Sequence, residues 1–280
     1  MQLREHRVQD FYRQLRFLKK HFTLLPLREW FEVRNSTRSP VAAITFDDGL
    51  VNNLLALPVL ESLNVPATFF VCTPSLKGES VLWPDALDVA CHLAGDHVDL
   101  LGTRFERRGG LHMNDAGIRP AHFIKHLTPE ERWQHIGALT NGTQPWNQPP
   151  WNQHVAVLDA TGVGTLAASS LVEIGSHGIA HQNLAHLGDE EVLYELRASK
   201  TLLESWTSSL VLSYAFADGS YNERTALLAR DCGYHYLCAV VPQRCAVPDG
   251  IELTGRYGFY SDRHWTGQLH AFFRYIAPSA

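Results

Sequence analysis

"VAAITFDDG", Val41 to Gly49, is the stretch on which the reading of the fold turns. Its first six residues form a short apolar run rich in β-formers, the composition of a buried strand. The run then ends in two adjacent carboxylates, Asp47 and Asp48, placed directly before Gly49. Successive side chains on a strand point to opposite faces, so neighbouring aspartates at its end serve different purposes unless the backbone bends there, and Gly49 permits such a bend. Taken alone, the pair also fits a solvated strand end or a helix N-cap.

Outward from this point the chain alternates. "VNNLLALPVLESLN" (51–64) reads as a helix broken or kinked by Pro58, and "VPATFFVC" (65–72) as a second buried strand. The alternation resumes with strand-like "LVEIGSH" (171–177), helical "DEEVLYELRASKTLLESW" (189–206), strand-like "LVLSYAFA" (210–217), helical "ERTALLARDCG" (223–233) and strand-like "YHYLCAVV" (234–241). Continuous apolar strands separated by helices predict βαβ units and a parallel sheet. Phe11, Leu15, Leu18, Phe22 and Leu25 recur at helical spacing among basic residues, which predicts an N-terminal amphipathic helix lying over a core. With no linker between these units, the expectation is one domain over 1–280 carrying a loop-rich insertion at about 77–156. Within that insertion, "QPWNQPPWNQ" (144–153) reads as loop; Trp146 and Trp151 either stack on sugar rings or pin the loop onto the barrel.

Composition narrows the function classes. The 280 residues are 45% hydrophobic and 19% charged, those of an ordinary globular protein, and the net charge of −5 gives no electrostatic reason to expect nucleic acid as a partner. Five cysteines without a CxxC pair predict neither a disulfide framework nor a thiolate metal site. No apolar stretch reaches the roughly 18 residues of a membrane span, and the charged start lacks the apolar core of a signal peptide, so a cytoplasmic location is expected.

In "EIGSHGIAHQNLAHL" (173–187), His177 and His181 stand four residues apart at the C-terminal end of a predicted strand. Two histidines at that spacing are weak evidence for a metal. Asp48 supplies a carboxylate, and two imidazoles with one carboxylate and open positions make a recurrent catalytic metal set. Both segments sit just past strand C-termini, where parallel α/β proteins place their sites. Asp47 is then free to act as general base on a metal-bound water.

These two segments resemble the polysaccharide deacetylase family, the NodB-homology or carbohydrate esterase family 4 group. The TFDDG motif is matched without change at Thr45–Gly49, and H-S/T-x-x-H is met as His177-Gly178-Ile179-Ala180-His181. The likeness runs from about Phe11 to about Val241. It implies an α/β fold, a distorted barrel of seven (β/α) units, and hydrolysis of an N-acetyl amide on a carbohydrate substrate. It also implies Asp47 as catalytic base and Asp48, His177 and His181 as ligands of one divalent ion, zinc in the first place and cobalt, nickel or manganese as alternatives.

The chain departs from the pattern in three places. Gly178 replaces a Ser or Thr. The third motif, R-P-P-Y-G or A-Y-P-F-G in the family, reads "AFADGSYN" (215–222), so its arginine is missing and the oxyanion amide falls by position to Asp218. Arg256, at the end of a late strand, is the candidate to hold Asp47 in that arginine's stead. The segment carrying the general acid is not evident; His264 is the first candidate and His270 the second. The competing reading is a non-catalytic carbohydrate- or partner-binding protein with a degenerate deacetylase fold. "TGVGTLA" (161–167) fits a dinucleotide-binding glycine pattern, but no acidic residue follows at the required distance, so it reads instead as a helix packed through Leu158, Val163 and Leu166.

Overall fold

A computed structural model of the chain describes residues 5–240, 250–259, 266–268 and 272. It divides into two compact units, residues 1–73 with 158–280, and residues 74–157.

The first unit is built on six parallel strands whose lateral order is their order along the chain: β1 (Ile44–Phe46), β2 (Ala67–Val71), β3 (Val172–Ser176), β4 (Ser213–Ala215), β5 (Tyr236–Val240) and β6 (Glu252–Arg256). Sequential parallel strands need right-handed crossovers that always pass over the same face, so the helices gather on that face and the sheet curls away from them. The curl brings the two edge strands towards each other. Arg256 Nη1 at the end of β6 lies 3.0 Å from Thr45 Oγ1 on β1. A two-residue parallel pair, Thr23–Leu24 with Val41–Ala42, precedes β1. The curled sheet with outer helices is the expected distorted barrel, with six strands in one sheet among the described residues where seven are expected.

Strand alternation sorts the apolar side chains into two layers. Phe69 and Val71 point outward and join the main core under the helices, with Leu60, Val163, Leu196 and Leu203. Phe70, Ala215 and Cys238 point inward, where Leu27 and Phe31 of the helix Leu27–Val33 fill the interior. On the N-terminal helix, Glu5–His21, Phe11 and Leu15 are buried in the outer core and Leu18 is buried too, which fixes it as a packing helix. Pro58 falls where its missing N–H does least harm: a 3₁₀ segment, Val51–Ala56, ends and the α-helix Leu57–Leu63 begins with Pro58 in its first turn. The glycine pattern near residue 162 sits in the helix Ala160–Ala167, capped by Asp159 Oδ1 on the Gly162 amide at 2.9 Å, and Leu158, Val163 and Leu166 are buried.

The second unit corrects the loop-rich expectation. Residues 74–157 have a core of their own, with Trp83, Leu87, Val98, Phe105, Ile136 and Trp146 at its centre. The helices Trp83–Ala94 and Pro129–Leu139 pack here, as does an antiparallel sheet of His97–Leu100, Thr103–Arg108 and Leu111–Met113. Its two hairpins turn on Leu101-Gly102 and Gly109-Gly110, all four with positive φ, as two-residue type I′ turns require. The Gly-Gly pair was the legible signal for one of them. Trp146 is buried in this core and Trp151 packs partly buried against it, so both pin the loop within the insertion. No described helix is long and apolar enough to cross a membrane. The described cysteines, Cys72, Cys91, Cys232 and Cys238, are free thiols.

Candidate active site

The backbone bends directly at the two aspartates. Asp48 adopts φ +73° and Gly49 φ +71°, two successive left-handed residues that turn the chain sharply off β1. A Cβ at Gly49 would lie 2.7 Å from Val71 Cγ1 and 3.0 Å from Val71 Cα on the neighbouring strand, so only glycine fits. His181 is also left-handed, at φ +53°. Two of the three residues predicted to hold a metal therefore sit in a conformation uncommon for residues with a side chain, and such strain persists where surrounding contacts enforce it.

The enforcing contacts are specific. Cys72 N donates to Asp48 O at 3.2 Å and His177 N to Val71 O at 2.9 Å, tying the aspartate loop and the histidine loop to the end of β2. Ile179 N donates to Glu195 Oε2 at 2.6 Å, and Gly178 N to Ser176 Oγ at 3.2 Å. Gly178, at φ +81°, would bring a Cβ within 3.0 Å of Tyr214 Oη and 3.1 Å of Glu195 Oε2, which accounts for the absence of the family's hydroxyl residue there.

The loops bring Asp48, His177 and His181 together. Asp48 Oδ1 is 3.5 Å from His177 Nε2 and 3.6 Å from His181 Nε2. One ligand atom from each of the three residues lies within 4.8 Å of the others. A tetrahedral centre with bonds of about 2.1 Å spaces its ligands about 3.4 Å apart, so the donor set fits a single cation. His177 Nδ1 lies 2.7 Å from the Ala215 carbonyl, and a donating Nδ1–H leaves the Nε2 lone pair directed at the cluster. Burial lowers the His177 pKa against the pull of the Asp47 and Asp48 charges, which favours the neutral imidazole that a metal needs.

Asp47 takes the other direction. Arg256 clamps it with two parallel hydrogen bonds, Nη1 to Oδ1 at 2.7 Å and Nη2 to Oδ2 at 2.8 Å. The guanidinium is itself fixed by Thr45 Oγ1 and lies 5.1 Å from the centre of the Phe70 ring. Desolvation alone would raise the Asp47 pKa, but Arg256 together with His177 and His181 overrides it and holds the carboxyl at about 2. Arg256 is correspondingly raised, the Asp47 charge outweighing its own burial.

A carboxyl depressed in the folded state stabilises the fold above its unfolded pKa of about 3.9, and this contribution fades as pH falls through about 2. In Arg256→Met the clamp is gone, only His177 and His181 are left to offset desolvation, and the Asp47 pKa should rise from about 2. The expected loss is roughly 1–3 kcal/mol at pH 7, between the exposed and fully buried limits because about a third of the Asp47 side chain reaches solvent. That loss should shrink below pH 4, as denaturant titrations at pH 7 and pH 3 would read out.

The altered third motif forms a short turn, Ala217–Gly219, after β4. Asp218 has φ +54° and is exposed, and a Cβ at Gly219 would come within 2.4 Å of Val240 N. His264 and His270 lie outside the described residues. The sequence reading missed Glu195, only 3% exposed, although it falls on the buried face of the helix Asp189–Thr207 with Val192, Ser199 and Leu203. A carboxylate on an apolar helical stripe was the available signal.

Parallel strands whose C-terminal ends gather an Asp–His–His cluster beside an arginine-held aspartate define an α/β-barrel protein with a candidate metal centre. The sequence model of the polysaccharide deacetylase family matches residues 34–97 and 146–237, more than half of the chain, and the chain belongs to that family. The family is one of carbohydrate deacetylases, and the fold is the NodB-like barrel. Among solved structures, IcaB from Ammonifex degensii is similar over 95% of this chain and 88% of its own, at 14% identity and a TM-score of 0.56. BA0330 of Bacillus anthracis is similar over 94% of this chain at 16% identity and a TM-score of 0.55, and the polysaccharide deacetylase BC0361 of Bacillus cereus over 89% at 18% and 0.51. The chain spans 60% and 56% of those two proteins' lengths. At these identities the likeness is one of fold. No curated protein matches the chain.

Proposed function

We propose that this chain is a metal-dependent hydrolase that removes N-acetyl groups from an amino-sugar glycan. The observation that carries the reading is the division of labour between neighbouring aspartates: Asp48 faces His177 and His181, while Asp47 is held apart in a bidentate arginine clamp. Two imidazoles and a carboxylate suit zinc, with cobalt, nickel or manganese as alternatives. A divalent ion held there supplies Lewis-acid polarisation of the acetyl carbonyl and lowers the pKa of a water.

The chain's own groups do the rest. Asp47, its carboxyl held below the usual range by Arg256, is ionised at neutral pH and takes the proton of the attacking water, and Arg256 keeps its carboxylate oriented. The proton gained by Asp47 balances the one the leaving amine must acquire. The Asp218 amide is assigned to the developing oxyanion, in keeping with its place in the third motif. The non-catalytic alternative draws its force from the decayed third and last motifs. Arg256, which supplies a guanidinium to Asp47 from a different strand, supports the catalytic reading on the first of these.

The test is acetate release from a panel of N-acetylated oligosaccharides by zinc-loaded protein. Activity that a chelator abolishes and added zinc restores supports the reading. No release from any member of the panel by protein that carries the metal would sink it.

A further inference from the structure

The inserted unit contains a cavity of about 290 Å³, close to the lower end of the ~300–1,000 Å³ range of small-ligand sites. Trp133 and Trp146 line it, their ring centres 5.8 Å apart, with Trp146 buried and Trp133 half-exposed. The exposed side chains of Ser80, Gln144 and Asn147 line it too and are already ordered among themselves: Ser80 Oγ donates to Asn147 Oδ1 at 2.9 Å, and Asn147 Nδ2 to Gln144 Oε1 at 2.8 Å. Among the described residues the lining contains no lysine or arginine, and Glu79 is its one ionisable group.

This chemistry selects an occupant. Among the described lining residues an anion would meet one carboxylate and no cation, and a wholly apolar ligand would strand the hydroxyl and amide groups on desolvation. An uncharged ring with an apolar C–H face and a rim of hydroxyls matches both the indole and the amides.

We infer that the Trp133–Trp146 cavity is a saccharide subsite, taking a neutral pyranose unit of an N-acetylated glycan. The inference rests on the proposed function for the identity of that glycan. Its test is separable from it. Zinc-loaded protein is titrated with a β-1,4-linked N-acetylglucosamine hexamer and with the monomer, following binding by calorimetry and acetate release in parallel. Trp133→Ala removes the stacking face. Gly137→Phe fills the cavity instead: a Cβ at Gly137 meets nothing within 4 Å, and replacing glycine in the helix Pro129–Leu139 should not harm folding.

Both variants are expected to weaken hexamer binding about tenfold or more, with acetate release from the monomer unchanged. Hexamer binding that is equal in wild type and both variants, or undetectable in wild type at millimolar concentration, overturns the subsite. Protein that releases acetate from the hexamer but shows no such dependence loses this inference and keeps the proposed function. Protein that binds through the cavity and releases no acetate keeps the subsite and loses the function.

Discussion

Asp47→Asn should lower acetate release by about 10²–10⁴-fold while the protein still binds one equivalent of zinc. The expectation follows from which way the carboxylate points. Its two oxygens are engaged by Arg256 at 2.7 and 2.8 Å, and it is not among the residues whose donor atoms converge with the histidines. Asparagine keeps the size and one acceptor oxygen but has no basicity, so the first proton transfer loses its acceptor. The amide also presents an NH₂ to the guanidinium, which weakens the clamp, so stability should fall modestly at pH 7 where the wild-type carboxylate is ionised. Zinc content by elemental analysis and kcat from released acetate separate the two roles. Parallel loss of metal and rate would mean that Asp47 is a ligand, and an unchanged rate would mean that it is not the base.

His181→Ala should abolish both zinc binding and activity, and here the two readouts must move together. His181 Nε2 is 3.6 Å from Asp48 Oδ1, and its left-handed backbone is what aims the imidazole back at the aspartate loop. Alanine leaves two donors, and a three-donor site that loses one retains too little affinity to hold the ion at micromolar concentration. The fold should survive. His181 is 15% exposed and lies on a loop, while the main core beneath the helices does not include it. Expected results are a zinc stoichiometry near zero in competition with a chromophoric chelator, a rate at background, and a circular dichroism spectrum like that of wild type. Full zinc occupancy in this variant would show that the ion sits elsewhere.

The strands and most helices could be read from the chain because each is specified locally: apolar runs of five or six residues for β2 and β5, a 3.6-residue stripe for the helix Asp189–Thr207. The inserted unit was harder to read. Its strands are short, and Arg104, Glu106, Arg107 and Arg108 make the central one polar, so its core forms from single buried positions such as Phe105 rather than from a periodic pattern.

Sequence alone determined the candidate donor set. TFDDG and H-x-x-x-H each fix side chains over a few bonds, and the turn chemistry of Gly49 and Gly178 is written into the same segments. What holds the side chains of the site in place was decided by tertiary structure. Arg256 meets Asp47 across 209 residues only because the parallel sheet curls until its edge strands approach, and Glu195 reaches the Ile179 amide only because its helix packs against β3. Short-range geometry follows from covalent neighbours, whereas pairing between distant charges depends on the closure of the whole sheet, which no local stretch of residues encodes.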